Sequence, residues 1–157
     1  MKIFFLFYLL GSLAVAGNIR TSGDAFKKLN SSQQATVKQF VTDTYGELPT
    51  PVLQALKKFE LEVQFKDFAP QAFNVVKDQC EGKFSEDIVD SALAYHKREG
   101  VFGTPEKINV IVNSLFLKPI LQGRGAAEKY NCYHKNFWRL SKAVIYHELA
   151  QIGRAHV

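Results

Sequence analysis

His147-Glu148-Leu149-Ala150-Gln151 is the stretch of this chain whose residue types come closest to catalytic chemistry. A zinc-hydrolase helix reads H-E-x-x-H: two imidazoles one turn apart bind the metal, and the glutamate takes a proton from water. Here glutamine stands where the second imidazole belongs. That glutamine also opens Gln151–Val157, QIGRAHV, a string that looks like an in-frame translation of a common sequencing adapter. On this reading only the first base of codon 151 is genuine, and histidine is one of the residue types that base allows. The motif is therefore incomplete as written and open in the gene.

Other reactive side chains carry less. His96 and His134 fall on polar positions of expected helices and read as surface histidines. Gly123-Arg124-Gly125 follows no strand, so it reads as a turn and not a phosphate loop. No nucleophile elbow G-x-S-x-G occurs, and the Ser, His and acidic residues present have no triad signature. Cys80 and Cys132 lie 52 positions apart, which is not metal-ligand spacing. In a secreted chain an even pair reads most simply as one disulfide, closing a long loop and adding about 3–4 kcal/mol. Sequence beyond Ala150 could supply further partners for them. Asn30-Ser31-Ser32 is an N-glycosylation sequon, placed just before an expected helix start; it makes Asn30 a candidate glycan site, with an unmodified capping residue as the alternative.

The compartment is set by the first 16 residues. Met1-Lys2, the apolar run Ile3 to Leu10, and Ala14-Val15-Ala16 form a basic start, a short apolar core and a small-residue cleavage site. The apolar stretch is shorter than the roughly 20 residues a membrane span needs. Residues 1–16 are expected to be a secretory signal peptide, which makes the mature protein extracellular. The expected organisation is signal peptide 1–16, one domain over 17–150 continuing past Ala150, and adapter residues 151–157.

The 134 residues left form one domain, long enough to bury a core. The formal charge of +5 becomes +3 without Lys2 and Arg154. Spread along the chain, it fits transient contact with acidic membrane surfaces but no nucleic-acid footprint, because no dense Lys/Arg cluster occurs. Ten of the 13 phenylalanines lie outside the leader, an aromatic load that fits a Phe-rich core.

Periodicity predicts helices throughout. Ser31 with Gln34 forms a capping-box pattern, followed by Val37, Phe40, Val41 and Tyr45 at helical spacing and closed by Gly46. Thr50-Pro51 starts a second helix, with Val52, Leu56, Phe59 and Val63 along one face. Pro70 opens a shorter one through Phe73, Val76 and Cys80. Ser85 caps the next, with Ile88, Ala92 and Tyr95 as its stripe, Lys97 and Arg98 at its negative end, and Gly100 as its stop. Thr104-Pro105-Glu106 begins the most apolar segment, from Ile108 to Leu117, which reads as a buried helix ended or kinked at Pro119. Its β-branched run also fits a strand. The last helix begins near Ala126, with Tyr130, Tyr133, Phe137, Leu140 and Val144 inward. The expected fold is all-α: a single compact domain of five or six amphipathic helices enclosing an apolar cavity.

Such a cavity would take a fatty acid, each buried methylene contributing about 0.8 kcal/mol. Leu56, Phe59, Val63, Phe73, Ile111, Leu115 and Phe137 are the candidates to line it; the alternative is that they pack against one another. Two stretches also resemble a known family. Phe26-Lys-Lys-Leu-Asn-Ser-Ser-Gln-Gln-Ala-Thr-Val-Lys38 is similar to the opening of the nematode fatty-acid and retinol-binding proteins, and Thr104-Pro105-Glu106-Lys107 to their Ser-Pro-Glu helix start. The likeness covers about a quarter of the chain. It implies a secreted, helical, single-domain carrier whose ligand is a fatty acid or retinoid, and it places no ligand residue. This chain departs from the family in its two cysteines, its basic charge and its aromatic content. The leading expectation is thus a non-enzymatic carrier with no cofactor. A secreted helical interaction protein with a solid core and a truncated zinc-dependent hydrolase are the alternatives.

Overall fold

A four-stranded mixed sheet, not a helical bundle, organises the computed structural model. It describes residues 18–67, 93–100, 106–125 and 137–157. In chain order these form β1 (Ile19–Ser22), α1 (Asp24–Lys27), α2 (Ser31–Gly46), α3 (Thr50–Leu56), β2 (Glu60–Lys66), β3 (Ala94–Glu99), β4 (Lys107–Asn113), a 3₁₀ turn (Ser114–Phe116), α4 (Leu117–Gln122) and α5 (Phe137–Arg154). The strand order is β1-β2-β4-β3. β1, β2 and β4 run parallel, and β3 pairs antiparallel with β4. The all-α expectation is therefore overturned, and with it the helical fold implied by the family resemblance.

Each error has a local cause. Glu60-Leu-Glu-Val-Gln-Phe-Lys66 alternates polar and apolar residues, and Leu61, Val63 and Phe65 are fully buried. That is the period of a strand. Phe59 and Val63 also stand four apart, so they fitted a continued α3 equally well. α3 in fact stops at Leu56. In β4, Ile108, Val110 and Val112 face one side and Ile111 the other, and all four are buried. A parallel strand covered on both faces reads as a continuous apolar run, and β-branched side chains favour strand over helix. Ala94–Glu99, expected as the end of a helix, pairs with β4 from Ala94↔Val112 to Glu99↔Lys107. Its charged residues suit an edge. Pro119 does not end a helix: it is the third residue of α4, within the first turn, where its missing N–H has no intrahelical partner to lose.

Other expectations hold. α2 is the predicted helix, with Val37, Phe40, Val41 and Tyr45 buried. Its cap lies one residue earlier than predicted: Asn30 Oδ1 accepts from the Gln33 N–H at 2.9 Å, and Gln33 Oε1 accepts from the Asn30 N–H at 3.0 Å. Proline sits in the first turn of α3. The end of α3 is tied to the sheet by Asn18, which donates to the Leu56 and Phe59 carbonyls and accepts from the Tyr45 hydroxyl.

Leu61, Val63 and Phe65 of β2 lie opposite Ile108, Val110 and Val112 of β4. This apolar face joins one core cluster with Val37, Val41 and Tyr45 of α2, Leu56 of α3, and Leu140, Ile145, Leu149 and Ile152 of α5. α5 packs on α2, α3 and α4 and against β3 and β4. Among the described residues no helix is long and apolar enough to cross a membrane.

Gly23 joins β1 to α1 at φ +108°, and a Cβ there would collide with the Phe65 backbone. Gly23→Ala is expected to destabilise the fold by more than about 1 kcal/mol. Urea unfolding followed by circular dichroism checks this, and a midpoint equal to the parent's refutes it.

Candidate functional site

The polar face of α5 beside β3 gathers the reactive side chains. An α-helix brings residues four apart together, and His147 and Gln151 meet on its exposed side with Nε2 atoms 2.8 Å apart. One position on, Glu148 turns inward and is only 7% exposed. Its Oε2 lies 2.8 Å from Nδ1 of His96 on β3. An ionised carboxylate only accepts, so the ring Nδ1–H donates. His96 faces α5 because its antiparallel partner is Val110, whose side chain is in the core. The same face of β3 carries Arg98, which meets the His156 ring at 2.6 Å. Among the described residues, no group of three or more His, Cys, Asp or Glu could hold a metal ion.

His96 was expected to be a surface histidine on a helix. It is instead the partner of Glu148. The signal for this would have been the pairing of Ala94–Glu99 with β4, which no local periodicity announces.

The apolar candidates lie elsewhere. Leu56, Phe59 and Val63 belong to the packed core cluster, and Leu115 packs against its rim. Ile111 is buried on the opposite face of the sheet, opposite Gln64 and Tyr95. The structure does not bring these residues together around one cavity. Phe73, His134, Cys80 and Cys132 lie outside the described residues, as does the side chain of Phe137; the described residues contain no cysteine and hence no disulfide. Asn30 is exposed, and its cap uses Oδ1, which leaves Nδ2 clear.

A second polar place is a cleft of about 310 Å³ where the α3–β2 turn meets the starts of β1 and β4, with Arg20, Lys57, Lys58 and Lys107 against Glu60 and Glu62. Lys107 Nζ lies 2.6 Å from Glu62 Oε2, and Ser22 donates to the same carboxylate. Burial pushes the Glu62 carboxyl up, but hydrogen bonds from Lys107, Ser22 and Gln64 outweigh it and hold the group below its ordinary value. The same bond raises Lys107.

No known protein family, curated protein or solved structure matches this chain.

A carboxyl depressed by folding contributes stability above its unfolded-state pKa, about 4.3, and loses that contribution as pH falls through the folded value. The parent is therefore expected to lose more stability between pH 7 and pH 3 than Glu62→Gln does. Chemical denaturation across that range checks this, and parallel pH profiles for the two proteins would count against the network.

Proposed function

We propose that this protein is an interaction protein with a solid core that takes an extended peptide along the edge strand β3. The metal-dependent hydrolase alternative has no fitting site: with glutamine at 151 the residues do not fit zinc, because one imidazole is too few, and no group of three or more His, Cys, Asp or Glu able to hold a metal occurs among the described residues.

One observation carries the reading. β3 is the last strand of the sheet and pairs with β4 alone among the described residues. An edge of this kind adds an extended peptide through main-chain hydrogen bonds. This supports an extended polypeptide as the partner. The leader-like residues 1–16 support an extracellular setting. The carrier expectation keeps no specific support, since its candidate lining residues Leu56, Phe59 and Val63 pack into the core.

Amide hydrogen exchange over Ala94–Glu99 is expected to slow when reduced, carboxymethylated lactalbumin is added as an unfolded polypeptide, with exchange in α2 unchanged. Exchange in β3 that is the same with and without the polypeptide sinks the reading.

A further inference from the structure

We infer that Asn30 carries an N-linked glycan and caps α2 with the same side chain: its amide oxygen serves the helix and its amide nitrogen the sugar.

Sequence and geometry meet at this residue. Asn30-Ser31-Ser32 is a sequon, and no other asparagine of the chain stands two residues before Ser or Thr. All three residues of the sequon are exposed. Asn30 Oδ1 accepts from the Gln33 N–H at 2.9 Å, and Gln33 Oε1 accepts from the Asn30 N–H at 3.0 Å. This fixes the amide, because the flipped orientation would set N–H against N–H. Oδ1 therefore points at the helix and Nδ2 away from it. Nδ2 has no hydrogen-bond partner among the described residues.

The neighbouring chain keeps the site open. Gln34 donates to the Leu29 carbonyl at 3.0 Å, so the backbone on both sides of Asn30 is tied down. α2 buries Val37, Phe40, Val41, Thr44 and Tyr45, the first of them about two turns beyond the cap. A sugar on Nδ2 meets solvent and not the core.

The leader-like residues 1–16 would bring the chain to the compartment of transfer. There Nδ2 attacks the anomeric carbon of the first N-acetylglucosamine of a lipid-pyrophosphate-linked oligosaccharide. A C–N bond forms and the bond from that carbon to the phosphate oxygen breaks. Lipid pyrophosphate leaves with the electron pair, and Nδ2 gives one of its two protons to a base of the transferase. The product is still an amide with its carbonyl oxygen unchanged, so the acceptor that caps α2 survives the modification.

The full chain with its own leader, made in cultured mammalian cells, tests both roles. Its intact mass should exceed that of the polypeptide by one N-glycan. Peptide:N-glycosidase should remove the glycan and leave aspartate at position 30. Ser32→Thr should keep the glycan, and Ser32→Ala and Asn30→Asp should lose it. An unmodified Asn30, in secreted or retained chain, overturns the site, as does a glycan that persists in Asn30→Asp. Thermal melts read the cap. Ser32→Ala and Asn30→Asp keep an acceptor at position 30, and Asn30→Ala should melt about 2–5 °C below them. The glycosylated parent should melt at or above Ser32→Ala. A glycosylated parent that melts with Asn30→Ala overturns the shared cap.

Discussion

The parallel pairing of β2 with β4, seven residues in register from Glu60↔Lys107 to Lys66↔Asn113, is the constraint on which the rest of this structure depends. It makes a sheet with two unlike faces. On one, six apolar side chains from Leu61 to Val112 are fully buried, each worth about 1.5–3 kcal/mol against exposure. On the other, Glu62 and Gln64 stand opposite Asn109 and Ile111. The apolar face draws α2, α3 and α5 into one cluster with it. The polar face is tied across strands by Ser22, Glu62 and Lys107. β3 joins at the free side of β4, which sets His96 facing α5.

What could be read from the sequence follows from how local each signal is. α2 was legible because cap, apolar spacing and stop all lie within 17 residues, Asn30 to Gly46. The meeting of His147 with Gln151 was legible because one helical turn defines their relation. β2 was not, because Phe59 and Val63 satisfy a helical spacing while Leu61, Val63 and Phe65 satisfy that of a strand. In β4 four buried apolar residues in five positions carry no period at all, and only their β-branching pointed toward a strand. β3 was least legible. Ala-Tyr-His-Lys-Arg-Glu has no apolar alternation, and it is a strand because β4 offers it a backbone ladder. The partner of Glu148 was hidden for the same reason, since a contact across 52 residues has no spacing rule.

The cleft near Lys107 and the face near His147 show two uses of buried charge. At Glu62 the carboxylate is satisfied by several donors at once, and its lowered pKa shows that those partners outweigh the cost of burial. Such a network closes on itself and ties strands together. At Glu148 one donor engages one oxygen, and that donor is the more exposed of the two.

The rest of α5 makes the contrast stronger. Leu140, Val144, Ile145, Leu149 and Ile152 form an apolar stripe packed on the sheet, and Glu148 interrupts it at a site almost as buried. An apolar residue there would add burial energy and remove a desolvation cost, and replacing buried ion pairs by well-packed apolar groups is often neutral or stabilising. Packing therefore gives no reason for a glutamate at this position. Glu148 breaks the apolar pattern of α5, and the histidine that answers it comes from the most exposed strand of the sheet.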